Sequence, residues 1–165
     1  MANISRVLYD NVLTDDGVTV SYTGTLTDGF GLENLTDGKD FSLFKPQSST
    51  TGHIKWVMPV DTTINYWALF MKNVVGTGSF NAVLMKETSA GSGGFTILDT
   101  FGSVNGKLTA RGFTSTVVAA GAIILLKFEL NSIATDVFCR QVFVGGNFDL
   151  ERGQYDWLKA ESPPT

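Results

Sequence analysis

Histidine, cysteine and proline are scarce: 165 residues include one His, one Cys and four Pro. With His53 alone, any imidazole triad or acid–base pair has to be assembled around that residue. It follows Thr51-Gly52 at an expected strand start, where an isolated surface histidine is the reading. A single Cys139 excludes an intrachain disulfide, and its setting in DVFCRQVFV suits a buried, inert thiol. Charge is thin too, at 17% of residues against about 25% in an ordinary soluble domain. The net charge of −4 and a pI near 4.8 count against nucleic acid, whose binding relies on Lys and Arg facing phosphates. There is no block of like charge to form an electrostatic tail. The longest apolar run goes only from Val117 to Leu126, short of the about 20 residues of a membrane span. MANISRVLYD has no apolar signal-peptide centre. The expectation is a soluble chain made in a reducing cytoplasm, with no membrane partner.

What is abundant is glycine, with 18, and phenylalanine, with 12; mean hydropathy is +0.11. Such a chain is not disordered, since disorder needs low hydrophobicity and high charge. Either the core is large, or part of the surface is buried against partners; sparse charge favours the second, because permanent interfaces are depleted of it.

Alternation dominates the apolar pattern. In IKWVMPV (54–60), Ile54, Trp56, Met58 and Val60 share one face, and Pro59 marks an edge or a strand end. INYWALFMKNV (64–74) is apolar on both faces and reads as a central strand covered on both sides. FNAVLMKET (80–88), the loop SAGSGG (89–94) and FTILDTF (95–101) form a hairpin. AIILLKFEL (122–130) puts Ile124, Leu126, Phe128 and Leu130 inward, with Lys127 and Glu129 toward water. DVFCRQVFV (136–144) is the last apolar strand. NVLTDDGVTVSYTG (11–24) suggests two short strands about the Asp15-Asp16-Gly17 turn. Helical spacing is nearly absent, a single turn near Phe30–Leu35 excepted. The fold class is therefore all-β: an antiparallel β-sandwich of seven or eight strands with little helix. Trp67, Leu69, Leu126, Phe128, Phe138 and Val142 are expected in its core. Residues 1–150 form the sandwich domain. The polar segment 151–165 is a C-terminal arm, either frayed with Tyr155 and Trp157 tucked back, or docked through these two residues on a neighbouring subunit.

The search for chemistry finds none. No G-x-S-x-G elbow occurs. Asp15-Asp16 and Asp37 with Asp40 are the close carboxylates, but calcium needs six to eight oxygens and Asp-Gly is first a turn signal. GSGG and GTGS precede no helix, so no phosphate site follows. No catalytic residue, cofactor or metal is expected, and the chain reads as a non-enzyme.

NLTDGKDFSLFKP (34–46), followed by HIKWVMPVDTTINYWALFMKN, resembles the discoidin-like, galactose-binding-type jelly roll. Asp37-Gly38 and Lys45-Pro46 keep its pattern, with Phe44 where that family usually has Trp. The ending, with Gly145, Leu150, Arg152, Gly153, Pro163 and Pro164, is similar to that of discoidin-like proteins of tailed-phage virions. The resemblance implies a virion structural protein, a capsid decoration or tail-associated subunit. It would be made in the bacterial host cytoplasm, with other virion proteins and copies of itself as partners. The alternative it implies is a carbohydrate-binding module on a virion or cell surface, for which Tyr22, Tyr155 and Trp157 are the stacking candidates. The aromatic-plus-Arg loops of sugar-binding members are lacking. In such a fold the 34–46 stretch is architectural, with Phe41 or Phe44 closing one end of the sandwich.

Overall fold

The computed structural model describes residues 5–26, 28–37, 44–45, 52–74, 80–102, 108–130 and 137–150. They form nine strands: β1 (Ser5–Asn11), β2 (Thr19–Tyr22), β3 (His53–Val57), β4 (Thr62–Val74), β5 (Phe80–Glu87), β6 (Phe95–Gly102), β7 (Leu108–Val118), β8 (Ile123–Leu130) and β9 (Val137–Leu150). Every pairing is antiparallel. One sheet runs β1-β9-β4-β7, and the other β2-β3-β8-β5-β6. This is the expected two-sheet antiparallel sandwich. Helix is limited to the short 3₁₀ turns Val12–Thr14 and Leu32–Leu35, the latter inside the span foreseen for a single turn.

Several local assignments differ from the sequence reading. The strand expected to begin at Asn11 lies earlier, and Val12–Thr14 is a 3₁₀ turn. Val12 and Leu13 are consecutive and both buried, which the two-sided alternation of a strand does not allow when one face meets water. β7 was not foreseen. It is the last strand of its sheet, and Ala110, Arg111, Thr114, Ser115 and Val117 are exposed along it, so it carries little apolar alternation.

Val60, expected on the face of Ile54, Trp56 and Met58, is 59% exposed beyond Pro59, and β9 runs past its expected end at Val144 to Leu150; the other apolar alternation holds. Ile54, Trp56 and Met58 point inward on and after β3, and β3 ends just before Pro59. The Asp15-Asp16-Gly17 turn forms, with Val18 N–H donating to Asp15 C=O at 3.1 Å and Gly17 at φ +86°. In the β5–β6 hairpin loop, Gly91 and Gly93 take positive φ. Buried Glu87 accepts the Gly93 N–H at 2.9 Å and the Ile123 N–H at 3.2 Å, tying this loop to β8.

Core residues from both sheets interleave: Ile54, Trp56, Leu84, Ile124, Leu126 and Phe128 face Ile64, Trp67, Leu69, Met71, Val142 and Val144. Five of the six expected core residues are buried; the side chain of Phe138 lies outside the described residues. β4 is internal as expected, between β9 and β7. On its outer face Tyr66 and Ala68 are buried and Phe70 is half-buried.

Candidate functional site

Tyr22 ends β2 opposite Ile54, on the inner face of the five-stranded sheet. Its ring meets Phe44 edge-on, centroids 5.4 Å apart at 85°. A Cβ on Gly24 would fall 2.6 Å from that ring, and one on Gly52 would overlap the hydroxyl, so the two glycines leave the space the ring occupies. Phe44 is fully buried and stacks toward Phe128 at 6.5 Å and 27°. Its N–H and C=O both bond Cys139, at 2.8 and 3.1 Å, which locks the residue across the end of β9. The stretch around it is architectural at Phe44, as anticipated; Phe41 lies outside the described residues. Tyr22 is thus a packing residue, although its Oη is enclosed without a hydrogen-bond partner.

His53 faces the other way. It pairs with Lys127 in register, on the outer face of the same sheet. The ring is half-buried rather than an open surface histidine, and its Nε2 is enclosed without a partner. Burial lowers its pKa, and the positive charges of Lys127 and Lys55 lower it further against a smaller opposing pull from Glu129. Cys139 lies fully buried, its thiol pushed up by burial; Sγ is 3.8 Å from the Phe70 carbonyl and 3.7 Å from that of Gln141. With His53 on an outer face and Cys139 in the core, the two do not form a nucleophile–base pair.

At the β6–β7 side a polar cluster latches the sheets together. The Trp67 indole N–H donates to Asp99 Oδ2 at 2.7 Å. Arg111 bonds both Asp99 oxygens, at 2.8 and 2.5 Å, and the Thr100 carbonyl at 2.6 Å. Phe101 stacks on Trp67, centroids 4.0 Å apart, and the Arg111 guanidinium lies over the Phe101 ring, 5.2 Å from its centre. Burial raises the Asp99 pKa, but bonds from Arg111, Trp67 and the Thr100 N–H, with the Arg111 charge, outweigh it and leave the carboxyl below its ordinary value. Trp67 and Phe101 are buried, so the cluster offers no open aromatic face. Among the described residues no group of three or more His, Cys, Asp or Glu is placed to hold a metal ion. Asp61 bonds the Ala120 N–H at 2.8 Å, another structural use of a carboxylate.

Tyr155 and Trp157 lie outside the described residues. A surface that the sequence pattern does not single out is the outer face of the four-stranded sheet, where Tyr66, Phe70 and Phe143 stand with Arg140 and Gln141. FCRQVF reads as alternating around Arg140, and the signal that would have marked it, a register shift against β4, belongs to two strands at once.

No family model and no curated protein matches the sequence. Solved structures do match the fold. A Ruminococcus gnavus GH29 fucosidase in complex with fucose superposes with TM-score 0.70 and 12% identity, over 84% of this chain and 27% of that one. CBM32-1 of a family 31 glycoside hydrolase from Clostridium perfringens superposes at 0.61 with 18% identity, over 84% of this chain and 99% of the module. Chitosan-binding module 1 of the chitosanase/glucanase from Paenibacillus sp. IK-5 gives 0.58 and 15%, over 78% and 94%. The chain therefore spans about a quarter of the fucosidase but nearly the whole of each module. The jelly roll read from the sequence is found among discoidin-like carbohydrate-binding modules, as a likeness of fold.

Proposed function

We propose that this chain is a non-catalytic carbohydrate-binding module. The observation that carries the reading is its kinship of fold and size with modules whose names state sugar binding, each covered almost end to end. Concave or flat β-sandwich surfaces bind sugars by stacking ring C–H groups on aromatic faces and by orienting hydroxyls with a few polar side chains. The test is titration calorimetry of the purified chain against chitotriose, fucose and a panel of immobilised glycans. Saturable binding to at least one class is expected; flat responses across the panel would refute the proposal.

A second reading has its own support. Val20, Val60, Ile97 and Val117 are 42%, 59%, 60% and 52% exposed on a chain with only 17% charged residues. These favour a subunit that packs against other protein, and with the phage-like ending they favour a capsid-decorating or tail-associated virion component. In that case the purified chain forms a symmetric oligomer burying more than about 1,000 Å² per interface. Light scattering that reports a monomer, together with absence from purified particles, would refute it.

A further inference from the structure

We propose that the outer face of the β1-β9-β4-β7 sheet is a binding platform for an acidic saccharide, with Phe70 and Phe143 as stacking faces and Arg140 as the carboxylate anchor. The inference rests on the carbohydrate-binding reading and adds a place and a ligand class to it.

Register builds the platform. Tyr66 stands beside Gly145 on β9 and Gly112 on β7; Ala68 stands beside Phe143 and Ala110; Phe70 stands beside Gln141. These residues share one side of the sheet, because the intervening Trp67 and Leu69 point into the core with Val142 and Val144. Glycine flanks Tyr66 and alanine stands beside Phe143, whereas Phe70 has Gln141 and Leu108 as its cross-strand neighbours. Tyr66 and Ala68 are buried, whereas Phe70 and Phe143 are half-buried. Phe143 lies one strand over from Phe70 and two residues along, about 8 Å away, so the two half-buried rings span one or two sugar units; Tyr66, 6% exposed, is no open stacking face.

Arg140 supplies the charge. The pairing of β4 with β9 shifts between Phe70–Gln141 and Met71–Cys139, so Arg140 is the extra residue of a β-bulge, and bulges re-aim side chains. Its guanidinium carbon sits 5.1 Å from the centre of the Phe70 ring. Stacking of this kind holds the planar fork in place. Nε is enclosed and has no hydrogen-bond partner, so a ligand carboxylate would meet the terminal guanidinium nitrogens rather than Nε. A single fixed cation amid rings matches one carboxylate on a sugar. It does not match a polyanion, which the net charge of −4 would repel.

The opposite open face is built differently. There Leu125, Met85 and Ile97 lie in one cross-strand row, with Phe95 and His53 at its margins and Lys127 already paired with Glu129 at 2.7 Å.

The experiment is calorimetric titration of the full chain with sialyllactose and with galacturonic acid, each against its uncharged counterpart, lactose or galactose. The acidic sugars are expected to bind about tenfold tighter than the neutral ones, the difference of one charge-assisted pair. Arg140→Ala should erase that preference, and Arg140→Lys should restore only part of it. Phe143→Ala should weaken both classes by about tenfold, and Phe143→Leu, which keeps most of the volume but removes the π face, should do nearly the same. Binding that survives in Phe70→Ala, Phe143→Leu and Arg140→Ala, each melting like wild type, would overturn the platform and leave the carbohydrate reading intact. Equal affinity for acidic and neutral sugars would overturn the anchor role of Arg140 and with it the ligand class. No sugar binding at all would overturn both. So would self-association that Phe143→Leu abolishes in a chain without sugar affinity, in favour of a protein interface.

Discussion

Removing the ring of Phe44 is the sharpest test of how the sandwich is closed. The side chain is fully buried, edge-on to Tyr22 and stacked toward Phe128. Its backbone bonds to Cys139 do not depend on the side chain and persist in Phe44→Ala. The substitution therefore costs transfer of the ring plus the void left between two other aromatics, about 3–5 kcal/mol for a buried Phe→Ala. In a domain of this length each kcal/mol moves the midpoint by about 2–4 °C, so Tm should fall by about 6–20 °C. Thermal unfolding followed by circular dichroism reads this directly. Urea titration should show a lower midpoint with an unchanged slope, since the surface exposed on unfolding is the same. Phe44→Leu should lie between the variant and wild type. A Tm within about 2 °C of wild type would mean that Phe44 does not plug the end. Loss of ligand binding at unchanged Tm would mean that it belongs to a site.

Other perturbations separate the remaining elements. Asp99→Ala strips the buried Trp67 indole N–H of its acceptor and should cost about 1–3 kcal/mol. Arg111→Ala, whose side chain is 52% exposed, should cost under about 1 kcal/mol; urea midpoints in the reverse order would contradict the latch. Because the folded-state pKa of Asp99 is depressed, its contribution is complete above the unfolded carboxylate value of about 4. It is lost as pH falls through the lower folded value, so Asp99→Asn should flatten the acid limb of a stability profile. His53 shows the base counterpart. Its folded pKa lies below 6.5, so as pH drops from about 6.5 the unfolded chain takes up a proton that the fold resists, and stability declines. His53→Gln should remove that decline, and an unchanged pH slope would refute the assignment. Cys139 should react with a thiol reagent only after denaturant is added, its thiolate being disfavoured by burial. Rapid labelling of the native chain would show the core to be open there.

What could be read from the residues was what each strand settles by itself. Ile54, Trp56, Leu126 and Phe128 alternate with Lys55, Lys127 and Glu129 along their strands, and their burial follows from period two whatever the partner strand. Phe44 was legible for a similar reason: an aromatic run stopped by Lys45-Pro46 has to end against something. β7 was not legible, because an edge strand with Thr, Ser and Arg on its open side resembles a loop in composition. Pairing was harder still. That β8 would lie between β3 and β5, or that β1 would join β9, depends on contacts far apart in sequence. Arg140 shows the limit for the site. Its place over Phe70 comes from one extra residue in β9 relative to β4, and a bulge is a property of two strands. His53 reads as an isolated surface residue; its partial burial beside Lys127 was not legible, since cross-strand neighbours set it.

The pairing of Ser5 with Leu150 has a mechanical consequence. These partners form the terminal pair at one end of the β1–β9 ladder, so tension drawn through both would act across the ladder rather than along it. Its hydrogen bonds would then break one after another, each bearing the whole load in turn, instead of sharing it as in a sheared sheet. Stretched between those points, the sandwich should peel open at low force from β1 inward. Pulling between Ser5 and a position on β7 instead would load several strands together and meet far greater resistance.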